Sequence, residues 1–426
     1  MIRFSDFFDS FQTPFSNAIL NDVIQILITL SPILLAFILF LIFWPLWVNY
    51  VRSDFFASLK YAVLEIKLPK DVFKSPLAME VFVNALHNTS DGSYFAQYWK
   101  GEKRPSYSLE LISIEGNVKF MIWTEDRRKA GVMSALYSQF PGIEVHEVED
   151  YTRGIQFDPA TEKMWGGEFK FTKKDPYPIK TYVDYGLDKD PKEEFKVDPL
   201  VPFIEYLGNV GFNQQVWIQF IVRAHIKEQR KPGHFFKKTD AWVDAARKEI
   251  DEIMQRDPKT KIVGKKDKET GRVIPPTLAD DEKNVVEALG RSITKQPFDV
   301  GIRAIYIAKK EFFDKPNGIG GIVGGFKHFS AEHLNGFKPD GDKWSPKFKG
   351  NPWEDYKNMR QNKSCKLVLE AYKRRCFFYD PFKGTPLVLN SEELATLYHF
   401  PGQVAGTPTL VRVPSKKGQA PSNLPI

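Results

Sequence analysis

A glycine-rich stretch, GIGGIVGGFKHFS at residues 318–330, is the part of the sequence closest to a phosphate-binding loop. Such a loop cradles phosphate with backbone N–H groups and needs a lysine directly after its last glycine to reach the outer phosphates. Gly320 and Gly325 have the required spacing, but Phe326 stands where the lysine belongs. The stretch therefore predicts a glycine-rich connection between two elements and argues against nucleotide hydrolysis.

Other residue types that do chemistry fit no known pattern. The seven histidines are scattered and match no HExxH, zinc-finger or EF-hand spacing. No GxSxG nucleophile elbow occurs. Cys365 and Cys376 fit no CxxC motif, and two lone thiols are typical of a reducing compartment. We therefore predict no catalytic residue, no cofactor-binding residue and no metal ligand.

Acidic residues cluster at two places, 147–150 and Glu392–Glu393. Paired carboxylates can act as general acid and base. They are more typical of solvated faces and of helix N-termini, where the helix dipole stabilises negative charge. Glu392 and Glu393 lie in the first turn of a predicted helix, so we expect a structural role there.

Two basic stretches are the candidates for contact with a partner. Residues 334–376 hold 11 Lys and Arg against 5 Asp and Glu, with aromatic residues interleaved. That composition can bind nucleic acid single strands by charge and stacking. The second stretch is a hydrophilic insertion, 227–276. Ordinary solvation or proximity to anionic lipid is the alternative. The candidate nucleic-acid or partner contacts are Lys373, Arg374, Arg375, Lys265, Lys266 and Lys268.

The elements that must position these residues begin with an anchor. Residues 23–48 carry no charge. As a helix, this run spans about 39 Å, more than the ~30 Å hydrocarbon core of a bilayer. It ends in two tryptophans and a tyrosine before Arg52, as in an interfacial aromatic belt. A signal peptide has a shorter apolar core. We therefore predict a transmembrane helix over residues 23–51.

Flanking charges predict the orientation of this helix. Acidic residues dominate residues 1–22, whereas Arg52, Lys60, Lys67 and Lys70 follow the span. The positive-inside bias puts the C-terminal side in the cytoplasm. We expect a single-pass protein of the inner (cytoplasmic) membrane with an extracytoplasmic tail at 1–22. The net charge of +7 permits anionic partners without requiring them.

The predicted fold class is α+β, with two ferredoxin-like modules after the transmembrane helix. In the first module, residues 61–152, strands and helices alternate in the order β-α-β-β-α-β. Ser75 and Pro76 are a typical N-cap and first residue of its first helix. A second α+β module is predicted over 164–400, interrupted by the basic helical insertion 227–276. Residues 404–426 are predicted to be an extended tail. The ferredoxin-like fold hosts many functions and names none.

Several stretches taken together resemble a known family. They are LEIKLPKDVFKSPLAMEVF (64–82), residues 109–152, KDPYPIKTY (174–182), residues 198–223, and LNSEELATLYHFPG with the closing SKKGQAPSNLPI. The family consists of uncharacterised membrane-anchored proteins of candidate-phyla bacteria. The same region is similar to the N-terminal part of larger chains that continue into a conjugation-type ATPase of the HerA/FtsK superfamily. The Walker motifs of that motor are absent here, so no catalytic residue is carried over.

The resemblance implies a non-enzymatic, single-pass membrane scaffold or adaptor of a type IV secretion or conjugation-like transfer machine. Its expected partners are the lipid bilayer and a separate HerA/FtsK-type ATPase or other secretion subunits. Nucleic acid and sister copies in a homo-oligomer are further candidates. Two alternatives stay open: a membrane-tethered nucleic-acid-binding module using the two basic stretches, and an enzyme with an unrecognised site near residues 318–325.

Overall fold

The structure is a computed structural model and is described for part of the chain. The described residues are 14–69, 75–90, 92–189, 197–226, 229–230, 238–256, 263, 265–266, 273–274, 278–340, 353, 355–402 and 412–413. They form two compact units, which are treated separately below. The first comprises the described residues within 1–59 and 91–103, and the second comprises the described residues within 60–90 and 104–426.

Helices and strands are numbered in chain order. The helices are α1 Pro14–Ser58, α2 Pro76–Ala85, α3 Tyr94–Trp99, α4 Lys129–Gln139, α5 Val201–Gly208, α6 Ala241–Ile253, α7 Asp280–Thr294, α8 Gly320–Lys327, α9 Met359–Lys373 and α10 Ser391–Leu397. The strands are β1 Tyr61–Pro69, β2 Ser106–Ile114, β3 Asn117–Glu125, β4 Glu144–Val148, β5 Glu162–Phe171, β6 Gln214–Ala224, β7 Gln229–Arg230, β8 Lys238–Thr239, β9 Lys265–Lys266, β10 Val273–Ile274, β11 Pro297–Lys309, β12 Phe337–Asp340, β13 Leu387–Asn390 and β14 Arg412–Val413.

The first unit is built on α1, which contains the predicted apolar span. Residues 28–58 of this helix are long and apolar enough to cross a membrane. Their side chains are mostly exposed in the structure, as expected for a surface that faces lipid rather than a protein core. The unit also contains the short helix α3.

The second unit is organised around one large antiparallel sheet. Its strands lie in the order β12-β5-β11-β6-β2-β3-β1-β4, and every neighbouring pair in this path is antiparallel. β13 pairs with β11 beyond the end of β5. β14 pairs in parallel with the end of β1, so part of the predicted tail 404–426 adds to the sheet edge.

The same strand order occurs in both halves of this sheet. The first half contains β1, β2, β3 and β4, and the second half contains β5, β6, β11 and β12. If the four strands of each half are numbered along the chain, their order from the centre of the sheet to its edge is second, third, first, fourth in both halves. β2 of the first half and β6 of the second half are therefore neighbours at the centre, with Glu110 opposite Gln219. The predicted insertion 227–276 lies between β6 and β11 in sequence and contains α6, whereas α7 follows it.

Both faces of the sheet are buried. Alternate strand residues point to opposite faces, so Leu111 joins a large core with α2, α4, α5, α8 and α10, whereas its neighbour Ile112 faces α9. Strands covered on both faces are buried at nearly every position, as in β11. Burial of each large aliphatic or aromatic side chain contributes about 1.5–3 kcal/mol.

The local start signal of α2 is confirmed. The backbone N–H of Leu77 donates to Ser75 Oγ at 3.3 Å. Pro76 occupies the first helical position, where a backbone N–H would have no acceptor within the helix, so the N–H that proline lacks is not needed. Met79, Phe82 and Val83 then form a buried face at helical spacing.

Candidate functional site

One helix lies where the sequence predicted only a basic, aromatic stretch. α9 runs from Met359 to Lys373, and Asp355 caps its start by accepting the backbone N–H groups of Arg360 at 2.7 Å and Gln361 at 2.9 Å. The side chains buried against the sheet are Cys365, Val368, Leu369 and Tyr372. Their spacing of three and four residues is that of one helix face.

The opposite face of α9 is exposed and positively charged. We call Arg360, Lys363, Lys366 and Arg374 the basic face of α9; all four are exposed. Arg360, Lys363 and Lys366 follow one another at three-residue spacing, and Arg374, the C-cap residue, lies about four helical turns after Arg360, so all four are on one side. Glu370 adds one exposed carboxylate and lies 3.6 Å from Arg374.

Large exposed side chains lie at the N-terminal end of the same element. Trp353 is 80% exposed, and Tyr356 and Met359 are also exposed. A surface that combines fixed positive charge with accessible aromatic rings is suited to phosphate backbones and stacked bases. This surface is the candidate functional site.

A row of polar side chains lies beneath the C-terminal end of α9. We define the polar row as Glu110, Gln219, Arg303 and Glu168, which are cross-strand neighbours on β2, β6, β11 and β5. All four are buried. Arg303 donates to Glu168 Oε1 from Nη2 at 2.9 Å and from Nε at 3.1 Å. An ionised pair can persist in the interior only with such compensation.

The polar row holds the end of the helix. The last carbonyls of an α-helix have no partner within the helix. Here the carbonyl of Ala371 accepts from Arg303 Nη1 at 2.9 Å, and the carbonyl of Tyr372 accepts from Gln219 Nε2 at 3.2 Å. α9 is therefore fixed to the sheet by directed hydrogen bonds as well as by apolar packing.

Arg375 completes this attachment. Its guanidinium binds Glu110 with two N–H groups, Nε to Oε1 at 3.0 Å and Nη2 to Oε2 at 3.2 Å, and it also binds Asp150. Burial alone would lower the pKa of Arg375, but the charge of Glu110 raises it well above its usual value. Burial likewise tends to raise the pKa of Asp150, yet the hydrogen bond from Arg375 lowers it overall.

Neutral groups satisfy the remaining lone pairs of Glu110. Its carboxylate accepts from Ser108 Oγ at 2.7 Å, Tyr151 Oη at 2.8 Å and Gln219 Nε2 at 3.0 Å. Tyr151 also shares a 2.8 Å hydrogen bond with Tyr372 of α9. The network therefore joins β2, β6, the segment after β4 and α9.

The predicted contact residues at the end of α9 occupy different positions. The Lys373 ammonium donates to the carbonyl of Ile155, and Arg374 is exposed on the basic face. Arg375 is buried and forms ion pairs with Glu110 and Asp150. The prediction that Arg375 contacts a partner at the surface is therefore corrected.

The candidate contacts in the insertion are only partly covered by the structure. Lys265 and Lys266 form the short strand β9, which pairs with β10, while their side chains lie outside the described residues. Lys268 lies outside them altogether. Their proposed contact with a partner therefore stays a prediction.

Arg360, Lys363 and Lys366 were not among the predicted contact residues. A signal was present, because these basic residues recur at helical spacing opposite the apolar series 365, 368, 369 and 372. A second signal was the charge that β2 and β11 each carry in their interior, Glu110 and Arg303. A charge within a strand that is apolar on both sides of it needs a buried partner.

The glycine-rich stretch is helical rather than a loop, which corrects the prediction of a connection there. A Cβ atom on Gly321 would lie 1.9 Å from the Tyr206 ring, and one on Gly325 would lie 2.2 Å from the Phe203 ring. Both glycines therefore allow α8 to approach the aromatic side chains of α5. Close packing accounts for them without a phosphate ligand.

Glu392 and Glu393 do begin a helix, as predicted, but both side chains are buried. The backbone N–H of Glu393 donates to the Asn390 side chain, and Glu393 Oε2 accepts the backbone N–H of Asn390, each at 2.9 Å. This reciprocal pair is a capping box. Burial raises the pKa of Glu393 to about 8 despite a further hydrogen bond from the Ile179 N–H.

This raised pKa makes a pH-dependent contribution to stability. The unfolded carboxyl titrates near 4.5, so the folded state holds the extra proton between about pH 4.5 and 8. Stability from this group is complete below pH 4.5 and is lost as the pH rises through 8, by at most about 1.4 kcal/mol per pH unit. Glu393→Gln cannot ionise. The free energy of unfolding of the original protein should therefore fall relative to the variant between pH 5 and 8 in urea titrations. A constant difference would contradict the assignment.

A buried histidine also takes part in an ion cluster. His225 Nδ1 lies 2.5 Å from Asp299 Oδ1, and Arg223 Nη2 donates to Asp299 Oδ2 at 2.8 Å. Burial tends to raise the pKa of Asp299, but His225 and Arg223 lower it overall. Within the described residues no group of three or more His, Cys, Asp or Glu side chains is arranged to hold a metal ion.

The fold and this site define an α+β protein with a large antiparallel sheet and an N-terminal helix apolar enough to span a membrane. More specifically, the chain belongs to the family described as Domain of unknown function (DUF8128), which it matches over residues 57–411. The matched region thus begins at the end of α1 and covers α9 and the strands β1 to β13. A comparison with the curated proteins finds no match.

Proposed function

We propose that this protein is a non-enzymatic, single-pass membrane scaffold or adaptor of a type IV secretion or conjugation-like transfer machine, working with a separate HerA/FtsK-type ATPase. The observation that carries the proposal is the exposed apolar segment 28–58, joined in sequence to a second unit with an extensive core. Charged side chains of that unit, among them Arg375, Glu392 and Glu393, are engaged in holding its elements together. That use of charge fits a rigid platform.

The platform would consist of two ferredoxin-like modules joined edge to edge. Supporting this, each half of the sheet has the strand order fourth, first, third, second from its outer edge. In the first half, α2 and α4 also share one core with the sheet. The second half would carry its helical insertion 227–276, which contains α6, in the connection between its second and third strands.

The proposed location is the inner membrane, with the second unit in the cytoplasm. Supporting this orientation, basic residues follow the span and acidic residues precede it. The two cysteines of the second unit are free thiols, which suits a reducing compartment.

The non-enzymatic part of this proposal can be tested on the purified full chain in phospholipid nanodiscs. We expect no hydrolysis of ATP or GTP above the rate in empty nanodiscs. Turnover that co-elutes with the protein and rises in proportion to its concentration would contradict the proposal. It would favour the alternative of an unrecognised enzyme.

A second candidate function is favoured by the basic face of α9. We propose that this face binds single-stranded nucleic acid, with Trp353 and Tyr356 available for stacking. Reversing Lys363, Lys366 and Arg374 to Glu should abolish binding, because each neutralised phosphate contact contributes to affinity and to its salt dependence. Fluorescence anisotropy with a labelled oligonucleotide over a salt series measures both.

The matched control reverses three exposed lysines elsewhere on the second unit, Lys248, Lys283 and Lys327. It changes the net charge by the same amount. If both triple variants bind with the affinity and salt slope of the original protein, α9 is not a nucleic-acid site. Equal weakening in both would indicate attraction by net charge alone.

A further inference from the structure

A short aromatic helix belongs to the same compact unit as the apolar span. α3 has the sequence YFAQYW, with Ser93 as its N-cap: Ser93 Oγ accepts the backbone N–H of Ala96 at 3.2 Å. Tyr94, Phe95 and Trp99 are 74%, 61% and 54% exposed. Four of the six residues of α3 are aromatic, and three of these side chains are largely exposed. An exposed apolar patch of this kind is unusual on the surface of a water-soluble protein.

The other side of α3 packs on α1. The Trp44 and Tyr98 rings lie with their centroids 5.7 Å apart, and Trp47 meets Trp99 edge-on at 5.6 Å. Both separations are within the range of favourable aromatic pairs. The aromatic residues of α3 and those of α1 therefore form one continuous cluster.

Gly101 fixes the chain that leaves α3 against α1. Its φ is +72°, a left-handed conformation that glycine adopts without strain, and a Cβ there would lie 2.5 Å from the carbonyl oxygen of Val51. The backbone of this segment thus lies directly on α1, close to the end of the apolar span.

The position of the cluster along α1 indicates what covers it. A bilayer core of ~30 Å takes about 20 helical residues. The charge-free apolar run begins at Val23, so a core of that length ends near Phe43. Trp44 and Trp47 then lie at the boundary between hydrocarbon and headgroups, the depth at which tryptophan and tyrosine are enriched. The rings of α3 that contact them lie at the same level.

We propose that α3 is a second membrane contact, lying in the headgroup region of the bilayer with Tyr94, Phe95 and Trp99 inserted among phospholipids. The inference rests on the proposed membrane anchoring by α1. Because the exposed rings are continuous with the apolar span, we identify phospholipid, rather than a second copy of the chain, as the partner that contacts them. The exposed Lys100 at the end of α3 would meet lipid phosphates.

The test uses the full chain in nanodiscs of phosphatidylethanolamine and phosphatidylglycerol. The photo-reactive residue benzoylphenylalanine replaces one exposed aromatic residue at a time: Phe37 in the span, Phe95 or Tyr94 in α3, and Tyr137 on α4 as the matched control. After irradiation, mass spectrometry of the intact protein detects a gain of one phospholipid mass. Adducts are expected at 37, 94 and 95, and not at 137.

The outcomes separate this inference from the anchor. Adducts at 37 without adducts at 94 and 95, or cross-links from 94 or 95 to a second copy, would overturn the assignment of α3 while leaving the span in place. Absence of adducts at 37 would overturn the proposed anchor and the inference with it. Equal adducts at 137 and 95 would show that labelling is not specific to α3 and would also overturn it.

Discussion

Arg375→Met is expected to lower the free energy of unfolding by about 3–5 kcal/mol, the usual cost of removing one partner of a buried ion pair. The substitution keeps an unbranched side chain but removes the two N–H groups that bind Glu110. Glu110 and Asp150 then face each other with no positive charge between them. The end of α9 also loses the hydrogen bonds by which Arg375 attaches it to Glu110 and Asp150.

Chemical denaturation of the purified full chain, followed by circular dichroism, measures this loss. Arg374→Met is the matched control: it makes the same change one residue earlier, at an exposed side chain that lies 3.6 Å from Glu370. Surface changes of this kind are worth within about 0.5 kcal/mol. Adding Glu110→Gln to Arg375→Met should recover part of the stability, because the uncompensated buried charge is gone. Equal, small effects at 374 and 375 would contradict the interior position of Arg375.

Gly321→Ala is the second large expected effect. The new methyl carbon would lie 1.9 Å from the Tyr206 ring and 2.5 Å from two further ring atoms, far inside van der Waals contact. Overpacking of a core typically costs about 1–3 kcal/mol and occasionally more. Tyr206 is also held in place, because its hydroxyl donates to the carbonyl of Gly318 at 2.6 Å. We expect the thermal midpoint of the second unit to fall.

The same helix provides the control. Gly324 lies three residues further along α8, and among the described residues a Cβ there meets nothing within 4 Å. Gly324→Ala should stabilise the protein by about 0.5–1 kcal/mol, because alanine loses less conformational entropy than glycine in a helix. Destabilisation at 324 and none at 321 would mean that the stretch 318–330 has a different conformation, and a phosphate-binding role would have to be reconsidered.

Much of the secondary structure follows from local patterns. The strands of the first half and the start of α2 are set by apolar runs, turn residues and the Ser75–Pro76 signal, all of which act over a few residues. The apolar span is equally local, because a charge-free run of that length is long enough to cross a bilayer and rarely occurs in a water-soluble core. These elements were predictable because periodicity and capping depend on near neighbours.

Interactions between distant residues were not predictable in this way. Arg375 looks like part of a surface basic cluster until the fold places Glu110, 265 residues earlier, beneath it. Gly321 and Gly325 look like part of a loop in the sequence. The rings that make glycine necessary at these positions, Tyr206 and Phe203, lie on another helix. Glu393 looks solvated until α10 is packed into the core. In each case the partner, not the residue itself, determines the environment.

The candidate functional site was predictable only in part from the sequence. The basic composition of 334–376 pointed to the region that contains α9, but charge count alone could not separate Lys363 and Lys366, which face outward, from Arg375, which does not. Helical spacing would have separated them. The polar row that fixes α9 could not be inferred, because it depends on the register of four strands.

The proposed scaffold role is best tested by affinity purification of the tagged full chain from its own cell membranes in mild detergent, with mass spectrometry of the proteins that accompany it. We expect recovery of a HerA/FtsK-type ATPase, lost when residues 414–426 are deleted and retained in the Lys248, Lys283 and Lys327 reversal variant. Recovery of the protein without any such ATPase, or with envelope enzymes alone, would contradict a role as the scaffold of a secretion motor.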